Sequence, residues 1–406
     1  MLTKIGYLIP EFPGQTHIFF WRERQILLEL GVETDIISTR PPSKGISSHV
    51  WSDEARQITT YLAPLSVADV MASLLELLKA GPVGWAKCLN ALLKADDVPL
   101  AKKVRLAALI LVAGKLIKVA RTAGWCHVHV HSCADAANMA MFASMLSRVT
   151  YSMTLHGPAL ETYGPNQKQK WKYAKFGLAV SQKLLGDLQL KVGKSLPSDV
   201  VMAPMGVNLG TIKREKAYQP WESGICRIFC CGRLNPVKGH KYLIETVELL
   251  TAKGWQVQLQ IAGEDEQGGS GYHQELNRLI AAKALGSSVE LLGAVSEARI
   301  RQGLEDAHIF ALASLNEGIP VAVMEAMAME VPVVVTDVGG NAELIDHEID
   351  GILVPPEQPE TMAIEIQHVL NDRHLAASLS KACRQKIASQ FHHRRSAEEI
   401  VNYLRC

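Results

Sequence analysis

The stretch Ser314-Leu-Asn-Glu317-Gly-Ile-Pro320-Val-Ala-Val-Met-Glu325 decides how the second half of this 406-residue chain is read. It sets a carboxylate on a loop, a Gly-Ile-Pro turn, and then a helix carrying a second carboxylate. Pro320 suits the first position of that helix, because its missing N–H has no intrahelical partner there. Glu325 then lies about one and a half turns in. The apolar run His308 to Ala313 just before it reads as a buried strand. The free N–H groups of the helix start therefore face the space beyond a strand end, where an anion is stabilised. A diphosphate fits there. The two carboxylates can accept hydrogen bonds from vicinal hydroxyls, which a sugar and a ribose both offer. Such a pair also occurs as a helix cap and a solvated helix residue, so the reading needs a second motif.

Residues 225–239, Ile-Cys-Arg-Ile-Phe-Cys-Cys-Gly-Arg233-Leu-Asn-Pro-Val-Lys238-Gly, supply it. They read as a buried strand and a loop that opens a helix near His240. An Arg and a Lys at a strand's carboxyl end, flanked by glycines that let backbone approach closely, are the parts of a diphosphate clamp. Around these motifs strands and helices alternate through both halves, which predicts an α/β protein with parallel sheets covered on both faces. The first half gives strands at 4–9, 33–37, 128–131, 151–155, 177–180 and 199–202, and helices at 18–30, 135–146 and 182–190. The second gives strands at 225–231, 256–262, 288–292, 309–313 and 331–336, and helices near 239–252, 272–284, 297–306, 320–329 and 341–345. Residues 361–389 read as one helix and 396–404 as another. Val207 to Ser223, with Pro220 and mixed charge, is the linker candidate. Ligands of such sheets bind beyond the carboxyl ends of the strands, here across a cleft.

The chain resembles the retaining glycosyltransferases of family 4, whose GT-B fold sets two Rossmann-like, doubly wound domains around a donor cleft. The residues that carry the resemblance are Gly232-Arg233 with Lys238-Gly239, Ala262-Gly263-Glu264, Glu317-Gly318-Ile319-Pro320 to Glu325, Asp337 with Gly339-Gly340, Leu155-His156-Gly157, and Met205-Gly206-Val207-Asn208. The opening Ile9-Pro10-Glu11-Phe12-Pro13 with Gln15-Thr16 is similar to that of bacterial exopolysaccharide and colanic-acid type transferases. The resemblance implies an acceptor-side domain over 1–205, a nucleotide-sugar domain over 206–390, and a final segment 391–406 that returns as a helix to the first. It implies transfer of a hexose from a nucleotide diphosphate-sugar with retention, UDP-glucose first and GDP-mannose second, to a saccharide or lipid-linked saccharide in polysaccharide synthesis. Among the site residues, Arg233 and Lys238 would hold the diphosphate, Glu325 the ribose, and His156 a sugar hydroxyl, with Glu317 stabilising charge on the transferring sugar. Further donor contacts fall on Gly14, Gly263, Val295, Gly318, Ile319, Pro320 and Val321. Family members often carry two adjacent glycines in the first loop, and this chain has only Gly14. No divalent metal is implied, since cationic side chains and helix N-termini take over that task.

Other classes are weighed on the same residues. A catalytically silent nucleotide-sugar-binding subunit would be marked by loss of a motif residue, yet Arg233, Lys238, Glu317 and Glu325 are all present. An epimerase on the same fold fits the Glu317-to-Glu325 spacing less well. A dinucleotide-dependent oxidoreductase lacks its Gly-x-Gly-x-x-Gly after the first strand. With 42 basic and 41 acidic residues, no overall charge steers the chain to nucleic acid. The eight cysteines form no CxxC pair and read as reduced thiols of a cytoplasmic protein. Cys126-His127-Val-His129-Val-His131-Ser-Cys133 puts three histidines on one strand face, a pattern open to a soft metal but more simply structural. No secretory leader is read at the start, and the longest apolar stretch, Leu106 to Ala113, is too short to span a bilayer. Because Lys102, Lys103, Arg105, Lys115, Lys118 and Arg121 surround that stretch, the segment Leu100 to Trp125 is the candidate for peripheral contact with an anionic inner-membrane face. A core-packed helix with solvated ends is the competing reading.

Overall fold

A computed structural model of the chain describes residues 3–42, 51–157, 160–265 and 267–405. Seven strands build the first sheet: β1 (Thr3–Glu11), β2 (Val32–Arg40), β3 (Thr60–Tyr61), β4 (His127–Val130), β5 (Thr150–Leu155), β6 (Gly177–Ala179) and β7 (Val200–Met202). Six build the second: β8 (Cys226–Cys231), β9 (Val257–Ala262), β10 (Val289–Gly293), β11 (Ile309–Leu312), β12 (Val333–Thr336) and β13 (Ile352–Val354). Their orders are β3-β2-β1-β4-β5-β6-β7 and β10-β9-β8-β11-β12-β13, and neighbours pair in parallel. Strand order therefore reverses between β1 and β4, and again between β8 and β11. Those two crevices are where a doubly wound sheet binds its ligand. The central strands are apolar on both faces, as β11 (Ile-Phe-Ala-Leu) and β12 (Val-Val-Val-Thr) show, because helices cover both sides.

The strands and helices read from sequence recur within a few residues, with instructive exceptions. Segment 361–389 is two helices, Pro359–Asn371 and Arg373–Gln390. Asp372 breaks them apart: its backbone is extended, and its carboxylate accepts from His374 N and Leu375 N at 2.9 Å, capping the second helix. Pro320 does not open its helix but precedes it as the N-cap residue of Val321–Ala328. The edge strands β3 and β13, and the helices Ser52–Ile58, Val67–Leu78 and Pro82–Leu93, lie where the alternation offered nothing. The apolar run 106–113 sits inside the helix Leu100–Ala123, with Leu106, Ile110 and Ala113 turned into the core.

The linker candidate is held rather than loose. Arg214 donates to the carbonyls of Leu304, Glu305 and Met329 at 3.2, 2.5 and 3.3 Å, and Val207 bridges to His392. The final helix, Arg395–Arg405, buries Ala397, Ile400 and Val401 among first-domain residues, Ile5 and Tyr7 of β1 and Phe20 of the helix Ile18–Glu29. Its Ser396 Oγ donates to Glu23 Oε1 at 2.5 Å. Among the described residues no helix is long and apolar enough to cross a membrane, and the cysteines are free thiols.

Candidate active site

In the second domain the loops after β8 and β11 meet through glycine. Gly239 takes φ 63°, and a side chain there would overlap the Ala313 carbonyl. Asn235 turns the loop by accepting from Val237 N at 3.0 Å, which delivers Lys238 to the end of β11. Lys238 Nζ lies 2.7 Å from Glu317 Oε1, and Ser314 Oγ donates to the same oxygen at 2.6 Å. Glu317 is buried, its side chain 7% exposed, and Lys238 is 23% exposed. The loop after β12 locks this arrangement: Gly340 N donates to the Glu317 carbonyl at 3.2 Å, and a Cβ on Gly339 or Gly340 would overlap that loop's backbone. Arg233 stands exposed beyond β8.

The ends of β9 and β10 add a second tight packing. Gly263, at φ 147°, donates to the Gly293 carbonyl at 2.9 Å, and a side chain on it would overlap the Gly232 carbonyl. Beyond it, the Asp265 carboxylate accepts four backbone N–H groups, from Gln267, Gly269, Gly271 and His273, at 2.9–3.0 Å. Burial works against that charge, but the four N–H donors outweigh it and hold the Asp265 acid below the usual carboxylate range. Val295 is half-buried just after β10.

The first domain reaches into the same cleft from the helix Ile18–Glu29 and the loop before it. Gln15 pairs with the Glu264 backbone in both directions, Nε2 to O at 3.1 Å and N to Oε1 at 2.9 Å. Gly14 packs so closely on the His17 ring that a Cβ would lie 2.7 Å from Nδ1. Gly318 faces the His156 carbonyl, with room for no side chain: a Cβ would sit 2.5 Å from that oxygen. Glu343 crosses to cap the helix Gln182–Val192, accepting from Gln182 N at 2.6 Å and Lys183 N at 2.8 Å. Arg22 bridges two second-domain carboxylates, Nη1 to Glu325 Oε1 and Nη2 to Glu297 Oε2, each at 2.9 Å. Beside Arg22 lies a cavity of about 100 Å³, lined by Gln15, Gly232, Glu297, Val321 and Glu325 among others.

The structure thus brings Lys238, Glu317 and Gly318 together at the head of the helix Val321–Ala328, with Ile319, Pro320 and Val321 forming the turn. Glu325 sits one side of this group, against the cavity. His156 follows the end of β5 at the cleft, its carbonyl facing Gly318 of the second domain. Its Nε2 lies 3.0 Å from His131 Nδ1, and its ring packs against Phe19 and Phe20. Burial, then the nearby His17, pushes it down to about 3, so the ring is neutral at physiological pH. His127 and His129 do share one strand face, but Thr150, Ser152 and Thr154 of β5 take up their nitrogens at 2.7–2.8 Å. Among the described residues no cluster of three His, Cys, Asp or Glu is arranged to hold a metal ion. Arg22, Glu297, Asp265 and Glu343 were not singled out from sequence. Asp265, in a run with Gly268, Gly269 and Gly271, carried a signal; the other three act only through partners more than 150 residues away.

Two Rossmann-like domains closing on a cleft at their switch points define a GT-B glycosyltransferase fold. The Anabaena protein HepE, solved with UDP and glucose, shares it at a TM-score of 0.74 and 17% identity over 99% of both chains. Residues 226–372, within the second domain, match the family model described as glycosyl transferases group 1. Relatives include the amylovoran biosynthesis glycosyltransferase AmsK of Erwinia amylovora, 29% identical over 47% of this chain and 46% of that protein. WcaL of Salmonella typhimurium, named as a glycosyltransferase of colanic acid biosynthesis, is 27% identical over 60% of each. The matched region therefore spans about half the length of these relatives.

Proposed function

We propose that the protein is a retaining glycosyltransferase of polysaccharide biosynthesis, moving a hexose from a nucleotide diphosphate-sugar to a saccharide or lipid-linked saccharide. The observation that carries this is the buried Lys238–Glu317 pair at a helix start, beside a second carboxylate, Glu325, that lines a cavity. UDP-glucose is the leading donor, with GDP-mannose second. The relatives' names in exopolysaccharide synthesis and the UDP bound by HepE support that order. Lys238 and Arg233 meet the diphosphate, assisted by the N–H groups of Val321–Ala328, so that charge on the leaving group is stabilised without a divalent ion. The acceptor oxygen bonds to the anomeric carbon on the face the diphosphate leaves, the sugar–phosphate bond breaks, and the acceptor proton passes to the departing phosphate oxygen. Glu317 offsets positive charge growing on the sugar ring. His156, neutral and held at Nε2, offers its other nitrogen to a sugar hydroxyl. A thermal-shift and hydrolysis screen across UDP-, GDP- and ADP-sugars, with and without a chelator, tests the reading. Response to GDP-sugars alone overturns the leading donor, and loss of turnover with chelator overturns metal independence.

The acceptor side of the proposal is a cytoplasmic protein that visits the inner membrane face. The helix Leu100–Ala123 supports this only by its first turn, since its middle is core and Lys115, Arg105 and Arg121 pair with Asp69, Asp135 and Glu76. Outside lie Leu93, Leu100 and Val104, each at least 74% exposed, beside exposed Lys94 and Lys102. The helix Val67–Leu78 adds an outward stripe of Val67, Met71, Leu75 and Leu78. Apolar side chains ringed by lysine suit an anionic bilayer. Wild type should sediment with anionic vesicles at low salt, and Leu100→Glu with Val104→Glu should not; equal sedimentation of both sinks this contact.

A further inference from the structure

The bridge made by Arg22 lines the cavity beside Glu325, and Arg22 itself belongs to neither motif read from the sequence. Its guanidinium comes from the first domain, and both of its partners come from the second: Glu297 opens the helix Glu297–Asp306, and Glu325 lies along Val321–Ala328. Two separate nitrogens serve two separate carboxylates at 2.9 Å, with Arg22 25% and Glu325 15% exposed. Burial disfavours the guanidinium charge, but Glu325 and then Glu297 outweigh it and hold Arg22 above its ordinary range. The bond to Glu325 occupies the carboxylate that the proposed function gives to the ribose. The neighbouring cavity, at about 100 Å³, also falls short of the roughly 300–1,000 Å³ of ligand pockets. While the bridge is closed, Arg22 holds Oε1 of Glu325 and competes with ribose hydroxyls for that carboxylate.

We propose that Arg22 is the gate of the nucleotide pocket: it ties Glu325 to the first domain while the cleft is empty, and a bound nucleoside diphosphate takes Glu325 from it. Glu297 is the second half of the device. When ribose hydroxyls claim Glu325, the guanidinium keeps one carboxylate partner and is not left as a buried unpaired charge. Arg301 also lines the cavity and keeps a second cation beside Glu325 when that carboxylate changes partner. Gln15 on Glu264 and Glu343 on Gln182 close the cleft independently of Glu325, so the domains need not part completely for the exchange.

This rests on Glu325 holding the ribose, and the test separates the two ideas. UDP and GDP are titrated calorimetrically into wild type, Arg22→Gln, Glu297→Gln and Glu325→Gln at low and high salt. A gate makes the first two variants move in opposite directions. Arg22→Gln should bind nucleotide roughly threefold to tenfold more tightly at low salt, the gain shrinking at high salt. Glu297→Gln, which leaves Arg22 no partner but Glu325, should bind more weakly. Arg22→Lys, whose single amine bridges two carboxylates poorly, should fall between Arg22→Gln and wild type and guards against misfolding of the glutamine variant. If Arg22→Gln binds nucleotide as wild type does or more weakly, while Glu325→Gln loses affinity, the gate is wrong and the ribose assignment stands. If Glu325→Gln leaves affinity unchanged, the ribose assignment itself fails.

Discussion

Neutralising Glu317 tests the centre of the site, because the structure makes it one unit with Lys238. The ammonium lies 2.7 Å from Glu317 Oε1 with less than a quarter of its side chain exposed, so Glu317→Gln strands a largely buried cation. The glutamine keeps the shape and still accepts from Ser314 Oγ, which now lies 2.6 Å from the shared oxygen. What is lost is one charge-assisted hydrogen bond, roughly 1.5–3 kcal/mol, partly regained by water at the open side. If that loss falls in the transition state, kcat drops about 10- to 150-fold. Lys238→Gln loses the same pair and the proposed phosphate contact, so it should cost more and raise the donor KM as well. The double variant should be scarcely worse than Lys238→Gln alone, with a coupling of about 1.5–3 kcal/mol between the two positions. Steady-state kinetics on the four proteins measure it. Losses that simply add, within about 0.5 kcal/mol, would mean that the two side chains act separately and that the pair is only a resting contact.

Three further outcomes follow from single contacts. Gly318→Ala places a Cβ 2.5 Å from the His156 carbonyl, so the two domains must shift apart by several tenths of an ångström; kcat should fall about a hundredfold with donor binding less affected, and wild-type turnover would show that this contact does not set the geometry. Glu343→Ala removes the cross-domain cap on Gln182–Val192, worth about 1 kcal/mol, so amides 182 and 183 should exchange roughly fivefold faster in hydrogen-exchange mass spectrometry, with the core strands unchanged. His127 and His156 are both pushed down to about 3, chiefly by burial, so each is neutral when folded and takes a proton on unfolding below about 6.5. Their contribution is therefore complete above that pH and erodes as pH falls toward 3, by up to about 1.4 kcal/mol per pH unit for each. Urea midpoints at neutral pH and near pH 5 should differ accordingly, and His127→Gln should flatten the slope.

Much of this architecture is legible in the chain because parallel sheets buried on both faces write themselves as apolar runs. The runs 226–231, 309–312 and 333–336 show it, each followed by glycine or proline where a loop turns toward the cleft. β3 and β13 escaped because two or three residues at a sheet edge leave no period to detect. The helices Val67–Leu78 and Pro82–Leu93 escaped for the opposite reason: part of their apolar surface points outward, so hydrophobic periodicity no longer marks an inner face. Period-two reading did align His127, His129 and His131. Their meaning nevertheless depends on the register of β4 against β5, which brings Ser152 and Thr154 opposite and turns a metal-like pattern into a hydrogen-bonded ladder.

The same limit explains why the motifs located Lys238, Glu317 and Glu325 but missed what faces them. Lys238 and Glu317 announce themselves through glycines that only close backbone packing requires. Arg22 has no such neighbours. It stands on Ile18–Glu29, a segment whose adjacent residues answer to three different parts of the fold. Phe19 and Phe20 pack on His156, Arg22 reaches Glu325 and Glu297, and Glu23, next along, accepts from Tyr7 and Ser396 at 2.5 Å. Consecutive residues on a helix point about 100° apart, so one short segment can touch the cleft floor, the opposite domain and the returning C-terminal helix at once. Any displacement of this helix would therefore also move Phe19 and Phe20 against His156, whereas a change of partner at Arg22 alone would leave that contact in place.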